Sequence, residues 1–343
     1  MKSDILFKVA AGVVLLGIGC KSENMDDLGK PKTLGTSSQY TVTTIAGGNN
    51  TEEQKDGIGK NAYFIGPNGI AVSAVSNNIY ITDPIASSLR KIESDSIVTT
   101  IHYPENSLPA LFAPGEIAVT NDGTITFSQN GDFRSSPSII SFKPGSSDHP
   151  ISRELVDQGG LSADPQLNLV WAIDRARIQD NFFVYQIEPL KRLPLSLILK
   201  IDDVSLTIRF ELIAACKDGV KYLMGRTYGP VNPVDEPQLY ILDKNKVIKP
   251  ATISYHFTDV TGITAKRDGS AIYVADNEFI KKIDLKKNTV EVIAGPNETY
   301  SDDRDGVGRD ADVHAFKLAI SKDESAIYFT EFYRSTKIRK ITL

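Results

Sequence analysis

Residues 41–47, with the sequence TVTTIAG, decide the fold of this chain because the same kind of segment occurs twice more. It returns as IVTTI at residues 97–101 and as TVEVIAG at residues 289–295. Each copy alternates β-branched apolar residues with polar ones, which is typical of a half-buried β-strand. A segment that recurs in this way indicates an internal repeat, and an internal repeat sets the architecture.

The segments that follow the first copy recur in the same order near the C-terminus. After residue 47 the order is DGIG (56–59), PNGIAV (67–72), NIYITD (78–83) and LRKI (89–92). The later series is DGVG (305–308), LAI (318–320), AIYFT (326–330) and KIRKI (337–341). Turns rich in glycine, asparagine and aspartate separate these short strands, and no useful length of helical periodicity lies between them. The sequence therefore predicts an all-β fold.

These motifs resemble the NHL repeat, and the resemblance implies a β-propeller. It is strong in the first and last units, good at residues 262–283 and weak between residues 145 and 250. The third strand of each unit is assigned to residues 89–92, 139–142, 197–201, 239–242, 280–283 and 338–341. Six units of about 50 residues each fit four-stranded blades. We therefore expect a six-bladed β-propeller over residues 39–343, with an open all-β array or two separate sandwiches as the alternative.

The two ends of the repeat region predict how the ring closes. The chain ends directly after a third strand, whereas residues 41–47 form an outer strand with no blade before them. A ring of blades protects its sheet edges only when the first and last units are joined. We expect the N-terminal strand to complete the last blade. At residues 205–213, the outer strand of blade three and the inner strand of blade four both stay open as assignments.

Residues 1–19 have the anatomy of a signal peptide, because Lys2 and Lys8 precede an apolar run at residues 9–18. This run is shorter than the roughly 20 residues that a membrane-spanning helix needs. The sequence GIGC at residues 17–20 resembles a bacterial lipoprotein box, which implies cleavage and lipid attachment at Cys20. An uncleaved anchor helix is the alternative.

Residues 20–38 are then expected to be a lipid anchor and a flexible tether, since they are rich in Lys, Asp, Gly and Ser. Lys occupies the position after the cysteine where Asp often marks retention at the inner membrane. The acidic residues behind it resemble the surface-export signals of Bacteroidota lipoproteins. We expect an outer-membrane lipoprotein exposed at the cell surface, with the periplasmic side as the alternative, and membrane contact through the lipid anchor only.

The charge of the chain limits the classes of partner it can bind, and its cysteine content limits its thiol chemistry. The formal net charge is −5 and no basic block is present, so the electrostatic footprint of nucleic-acid binding is missing. Cys216 is the only thiol besides Cys20, and its apolar surroundings predict an inert core residue. We expect a monomer whose partner is an unknown protein or glycan.

Propellers bind small ligands and metals at the mouth of the central channel, where loops enter the inner strands. The predicted inner strands are residues 70–72, 117–119, 171–173, 263–265 and 318–320, and blade four is not aligned. The candidate binding residues at this mouth are Asn68, Glu116, Asp259, His314 and Lys317.

Metal chemistry in the channel receives little support from these positions. Propeller hydrolases and lactonases, which the fold resembles, hold a divalent cation there, and a hard cation needs several oxygen ligands. The aligned positions offer Glu116 and Asn68, while Lys317 repels a cation. A zinc-dependent lyase needs clustered histidines, whereas the four histidines fall in four different connections. We therefore predict no cofactor.

Two loop features carry further candidates. The acidic loop at residues 301–312 suggests a weak calcium site at Asp303, Asp305 and Asp312, although its DGVG segment matches DGIG of the first unit and also fits a repeat turn. Tyr103 and Tyr300 are candidates for stacking on a sugar or peptide, with packing between blades as the alternative.

No nucleophile elbow, phosphate-binding loop or HExxH zinc motif occurs in the sequence. We therefore expect a non-catalytic binding or scaffold module on the cell envelope that presents a propeller face to a protein or glycan. The alternative is an enzyme of the lactonase, hydrolase or lyase kind with a divalent metal in the channel. A channel cluster of three or more acidic, amide or histidine side chains would favour the enzyme.

Overall fold

The computed structural model describes residues 40–48, 53–104, 110–130, 137–146, 148, 150–154, 158–178, 181–191, 196–200, 207–228, 236–297, 304–331 and 335–343. Cys20, Tyr300 and Asp303 lie outside these residues, as does the predicted N-terminal segment 1–38. Among the described residues, no helix combines the length and the apolar character needed to cross a membrane.

The first half of the chain supplies three blades, each running from an inner strand at the channel to an outer strand. Two strands, β1 (Thr41–Ala46) and β2 (Gly57–Ile58), precede them. Blade one contains β3 (Ile70–Val72), β4 (Ile79–Asp83), β5 (Ser88–Glu93) and β6 (Ile97–Thr100). Blade two contains β7 (Pro114–Val119), β8 (Ile125–Gln129), β9 (Ser138–Phe142) and β10 (Ile151–Glu154). Blade three contains β11 (Gln158–Ala163), β12 (Val170–Ile178), β13 (Asn181–Ile187) and β14 (Ser196–Lys200).

The second half supplies the remaining three blades. Blade four contains β15 (Thr207–Ala215), β16 (Lys221–Tyr228), β17 (Pro237–Leu242) and β18 (Ile248–Pro250). Blade five contains β19 (Val260–Ala265), β20 (Ile272–Asp276), β21 (Phe279–Asp284) and β22 (Thr289–Ala294). After β23 (Gly306–Val307), blade six contains β24 (Leu318–Ile320), β25 (Ala326–Thr330) and β26 (Ile338–Thr342). Short 3-10 turns occur at Gly59–Asn61, Lys217–Gly219 and Gly308–Asp310.

The N-terminal strand completes blade six, as the sequence predicts. Strand β1 pairs antiparallel with β26, with Thr41 opposite Thr342 and Val42 opposite Ile341. The order of this sheet is β23-β1-β26-β25-β24, so both ends of the repeat region lie in one blade. The prediction of an all-β, six-bladed propeller with four-stranded blades and closure by the first strand is confirmed.

The strand assignment of blades three and four needs a correction. Residues 171–173 were expected to form an inner strand and residues 197–201 a third strand, but they lie in the second strand β12 and the outer strand β14. The inner strand of blade three is β11, and residues 207–215 form the inner strand of blade four. Gly159 and Gly160 hide β11 in the sequence, because two glycines in its middle remove the alternation of side chains that marks a strand. A Cβ atom at Gly159 would lie 2.8 Å from Cβ of Ile173, so the close approach of β12 requires glycine there.

The buried apolar side chains of the described residues form six clusters, one in each gap between neighbouring blades. The cluster between blades six and one shows how the N-terminal strand takes part. Ile45 and Ala46 of β1 pack there against residues of β3 and β4, while Val42 on the opposite face packs between blades five and six. Each sheet is therefore covered on both faces, and β1 contributes to two gaps at once.

We predict that strand β1, rather than the segment before it, stabilises the ring. Deleting residues 21–38 should leave the unfolding free energy nearly unchanged, because the described core begins at Tyr40. Deleting residues 21–47 should lower it by at least about 3 kcal/mol, since burial of each large apolar side chain contributes about 1.5–3 kcal/mol. Urea denaturation of the two variants measures the difference, and equal midpoints would contradict closure by β1.

Candidate functional site

In blades one, two, five and six, a side chain at the end of the second strand holds the loop that enters the inner strand. In blade one, Asp83 accepts hydrogen bonds from the backbone N–H groups of Ile65 (2.8 Å) and Gly66 (2.9 Å). The equivalent acceptors are Gln129 in blade two, Asp276 in blade five and Glu331 in blade six. Hydrogen bonds from backbone N–H groups to carboxylates are stronger than neutral ones. These loops, together with the turns between second and third strands, form the mouth face, and its described backbone is anchored at these positions in blades one, two, five and six.

Threonine hydroxyls join neighbouring blades at the same level. The Thr82 hydroxyl accepts from Gly69 N at 2.8 Å and donates to the Gly115 carbonyl of the next blade at 2.6 Å. The Thr330 hydroxyl of blade six donates to the Asn68 carbonyl of blade one at 2.9 Å. Asn68 therefore belongs to the seam between the first and last blades, with its side chain half-buried.

The corrected strand assignment adds an acidic residue to the channel mouth. Register shifts interrupt the start of the inner strands of blades two, three, four and five. Such bulges re-aim side chains and are common beside functional sites. In blade four the shift falls between Phe210 and Leu212, so Glu211 occupies the position of Asn68 in blade one. The sequence concealed Glu211 because the bulge breaks the alternation of β15.

Glu116 and Lys317 form an ion pair at the mouth. The Lys317 ammonium donates to the Glu116 carboxylate, although the two residues lie 201 positions apart and their blades flank blade one on either side. Both side chains are largely shielded from solvent. The two charges therefore compensate each other, and a ligand that enters at this point meets a paired lysine rather than a free one.

A second network links blades four and five. Arg226, near the end of β16, donates to Glu211 Oε2 at 3.0 Å and to Asp259 Oδ1 at 3.3 Å. Asp259 is two-thirds exposed, whereas Arg226 and Glu211 are mostly buried. Of these three residues, the sequence identified only Asp259 as a candidate. Arg226 and Glu211 come close to Asp259 only in the folded structure.

His314 lies between two carboxylates near blade five. Its Nδ1 is 2.6 Å from Glu278 Oε2, and its Nε2 is 3.5 Å from Asp312 Oδ1. His256 is exposed and lies 3.4 Å from Glu236 instead. The described residues contain no group of three or more His, Cys, Asp or Glu side chains arranged to hold a metal ion.

The acidic loop before blade six and the turn before blade one make the same set of contacts through one aspartate each. Asp305 accepts hydrogen bonds from Thr44 N (2.9 Å) and the Thr44 hydroxyl (2.8 Å) and lies 3.2 Å from the buried Arg339. Asp56 makes the equivalent contacts with Thr100 and the buried Arg90. Asp312 is buried, and its Oδ1 accepts from Asn297 N at 2.8 Å. These contacts give Asp305 a structural role as the anchor of a repeat turn.

We predict that Asp305 and Asp56 contribute equally to stability and not to calcium binding. Asp305→Ala removes the acceptor of Thr44 and one of the acceptors of Arg339. This change should lower the free energy of unfolding by about 1–3 kcal/mol. Asp56→Ala is the matched control in blade one. Thermal unfolding with calcium or with a chelator measures both effects. A calcium-dependent rise in the wild-type midpoint that Asp305→Ala alone abolishes would contradict this prediction.

The channel itself is narrow, and both polar and apolar groups line it. Three consecutive residues from each inner strand line it, namely residues 70–72, 117–119, 161–163, 213–215, 263–265 and 318–320. Its volume is about 150 Å³, and its polar lining comes mainly from Asn121, Asp164 and Arg267 beyond the inner strands. Small-molecule sites typically enclose about 300–1,000 Å³. The channel cavity is therefore smaller than a typical small-molecule site.

Tyr103 and Cys216 both lie against the core between blades. The Tyr103 ring makes edge contacts with Phe127 and Phe142, with centroids 6.1 and 5.4 Å away, and burial raises its pKa to about 12. Cys216 packs in the cluster between blades four and five, where burial raises the pKa of its thiol to about 12. A thiol of this kind is inert at neutral pH, which agrees with the sequence interpretation.

No protein-family model and no curated protein matches this chain. Solved structures do match it. A structural genomics protein of unknown function from Bacteroides thetaiotaomicron aligns with a TM-score of 0.64 at 18% identity, over 88% of this chain and 76% of that one. An auxiliary nutrient binding protein from the same organism aligns with a TM-score of 0.60 at 15% identity, over the same shares of the two chains.

Two enzymes are also similar in fold. The virginiamycin B lyase from Staphylococcus aureus aligns with a TM-score of 0.53 at 14% identity, over 89% of this chain and 100% of that one. A gluconolactonase from Xanthomonas campestris aligns with a TM-score of 0.54 at 9% identity, over 88% and 89%. At such identities the likeness concerns the fold, and this architecture hosts unrelated functions. The chain therefore shares its β-propeller fold with a nutrient-binding protein as well as with a lyase and a lactonase.

Proposed function

We propose that this chain is a lipid-anchored envelope protein of the NHL-repeat type that binds a protein or glycan through its mouth face without catalysing a reaction. The pairing of the charged side chains on this face carries the proposal. Glu116 is paired with Lys317, and Glu211 with Arg226. A cation beside a carboxylate lowers its basicity and repels a metal ion, whereas a preorganised surface binds a ligand without the cost of ordering its side chains.

Exposed apolar side chains accompany these pairs. Ile85, in the turn after β4, is 64% exposed, and Phe112, in the loop that enters β7, is 45% exposed. A hydrogen bond of 3.4 Å from Ala113 N to the Ser87 hydroxyl joins the two segments that carry them. A contiguous apolar patch favours an interaction site, and aromatic residues are enriched at such sites, so we infer that Ile85 and Phe112 act together as one patch.

The comparisons add support of a more general kind. The auxiliary nutrient binding protein shows that this fold serves ligand binding in at least one similar chain. The motifs of blades one, five and six support the NHL assignment, and GIGC at residues 17–20 supports the anchor. Together they favour a binding protein held at the outer membrane and exposed at the cell surface.

We predict that Cys20 carries the lipid. Cys20→Ser should abolish metabolic incorporation of an alkyne-tagged fatty acid and release the protein into the soluble fraction. Cys216→Ser is the matched control, because it removes the only other thiol from a buried position. Continued labelling of the Cys20→Ser protein would rule out the anchor.

We predict that ligand binding depends on the apolar side chains of the mouth face. The purified Cys20→Ser protein is applied to an array of defined glycans and purified extracellular proteins. Ile85→Ser combined with Phe112→Ser should weaken its binding at least tenfold, because it removes exposed apolar contact area. Ile58→Ser is the control, since Ile58 is 62% exposed at the outer edge of blade one.

Two results would overturn the proposed function. One is array binding that the double variant retains in full. The other is turnover of D-glucono-1,5-lactone, assayed with added calcium or zinc, that falls in Glu116→Gln. The second result would favour the alternative of a metal-dependent propeller enzyme.

A further inference from the structure

A tyrosine and a lysine face the next blade side by side in three blades. The pairs stand opposite each other on the second and third strands: Tyr80 with Lys91, Tyr273 with Lys282, and Tyr328 with Lys340. Tyr80 packs in the gap between blades one and two, and Tyr328 in the gap between blades six and one. The repeat thus places one donor pair of the same chemistry in several gaps.

In the gap between blades six and one, a carboxylate of the protein itself accepts hydrogen bonds from this donor pair. Asp95, in the turn after β5, accepts from the Tyr328 hydroxyl through Oδ1 and from the Lys340 ammonium through Oδ2, at 2.7 Å each. Asp95 has a φ of 56°, a left-handed conformation that aspartate tolerates better than most residues. The turn from blade one therefore neutralises the lysine of blade six.

In the gap between blades one and two, the equivalent turn carries a glycine, so it provides no carboxylate that could accept from the donor pair. The turn after β9 is closed by a 3.1 Å hydrogen bond from Ser146 N to Lys143 O, just as Ser96 N bonds Glu93 O in blade one. Gly145, at a φ of 79°, therefore takes the place of Asp95. A Cβ atom built on Gly145 meets nothing within 4 Å.

A cavity stands where the missing carboxylate would lie. Its volume is about 500 Å³, within the range of about 300–1,000 Å³ that small-molecule sites occupy. We call it the lateral groove, bounded by Tyr80, Lys91, the segment Thr99–His102, Pro104 and the segment Phe142–Ser146. The groove is more than three times as large as the central channel.

The charge of the lateral groove favours an anion. Lys91 lies within it, and Lys143 and His102 are exposed at its border. The Lys91 ammonium pairs with Glu93 of its own strand at 3.1 Å, but that carboxylate is 40% exposed, and exposed pairs of this kind are weak. A ligand carboxylate can therefore compete for Lys91, while a positively charged group is repelled.

We propose that the lateral groove binds an acidic sugar, with its carboxylate in the place that Asp95 takes in the closing gap. The hydroxyls of Thr99 and Ser146 suit a ligand rich in hydroxyl groups, and Pro104 and Pro144 offer apolar surface to a sugar ring. An amino acid fits less well, because its ammonium group would lie among the lysines. This site is separate from the mouth face and stands independently of the proposed function.

Calorimetric titration of the purified full chain tests the proposal. Sodium D-galacturonate and D-glucuronate should bind with one site per chain, whereas D-galactose and acetate should bind at least tenfold more weakly. Lys91→Gln should weaken uronate binding at least tenfold. Lys340→Gln is the matched control, because it removes the same residue type from a gap that Asp95 already fills, and it should leave the affinity unchanged.

Adding the missing carboxylate at position 145 gives the variant that tests the proposal most directly. Gly145→Asp should place a carboxylate between Tyr80 and Lys91, abolish uronate binding and raise the melting temperature. Phe112→Ser should leave uronate binding intact, so failure of the mouth-face proposal and failure of this one are distinguishable. Absence of uronate binding in the wild type, equal binding of galactose or acetate, or full affinity in Gly145→Asp would each overturn the inference.

Discussion

The antiparallel pairing of β1 with β26 is the interaction on which the rest of the structure depends. It joins residues from opposite ends of the chain in one blade, and it lets each of the six sheets be covered by a neighbour on both faces. Strand β1 also supplies apolar side chains to two gaps, so the ring and its core close in the same step. An open array would leave the edge of β26 and both of these clusters exposed.

Closure of the ring also determines how the loops and charged side chains of the mouth face are arranged. Carboxylates at the ends of second strands hold loops of the mouth face, and threonine hydroxyls join blade one to blade two and blade six to blade one. Charged side chains are then paired across blades, as Glu116 and Lys317 are. Among the described residues of the mouth face, the backbone of these loops is therefore anchored and these charges are paired. The repeat also omits a side chain at Gly145, where blade one carries Asp95, and the lateral groove lies at this position.

The sequence predicts the fold in blades one, five and six, where strand alternation and turn residues are regular. It fails in blade three because Gly159 and Gly160 carry no alternating side chains, although the structure needs them for the close approach of β12 and β15. The candidate site was predictable only in part. Asn68, Glu116 and Lys317 follow from the repeat, but their pairing joins residues far apart in the chain, and Glu211 is hidden by a bulge. The equivalence of Asp95 and Gly145 emerges only from the matching hydrogen bonds of their turns, and the cavity beside Gly145 is a property of packing between blades.

Hydrogen exchange at single-residue resolution tests ring closure most directly. If β1 is an integral strand of blade six, the amides of β1 that donate to neighbouring strands should exchange as slowly as those of β26, because both open only with the whole blade. Rapid exchange throughout Thr41–Ala46, with β26 still protected by β25 alone, would contradict closure by the N-terminal strand.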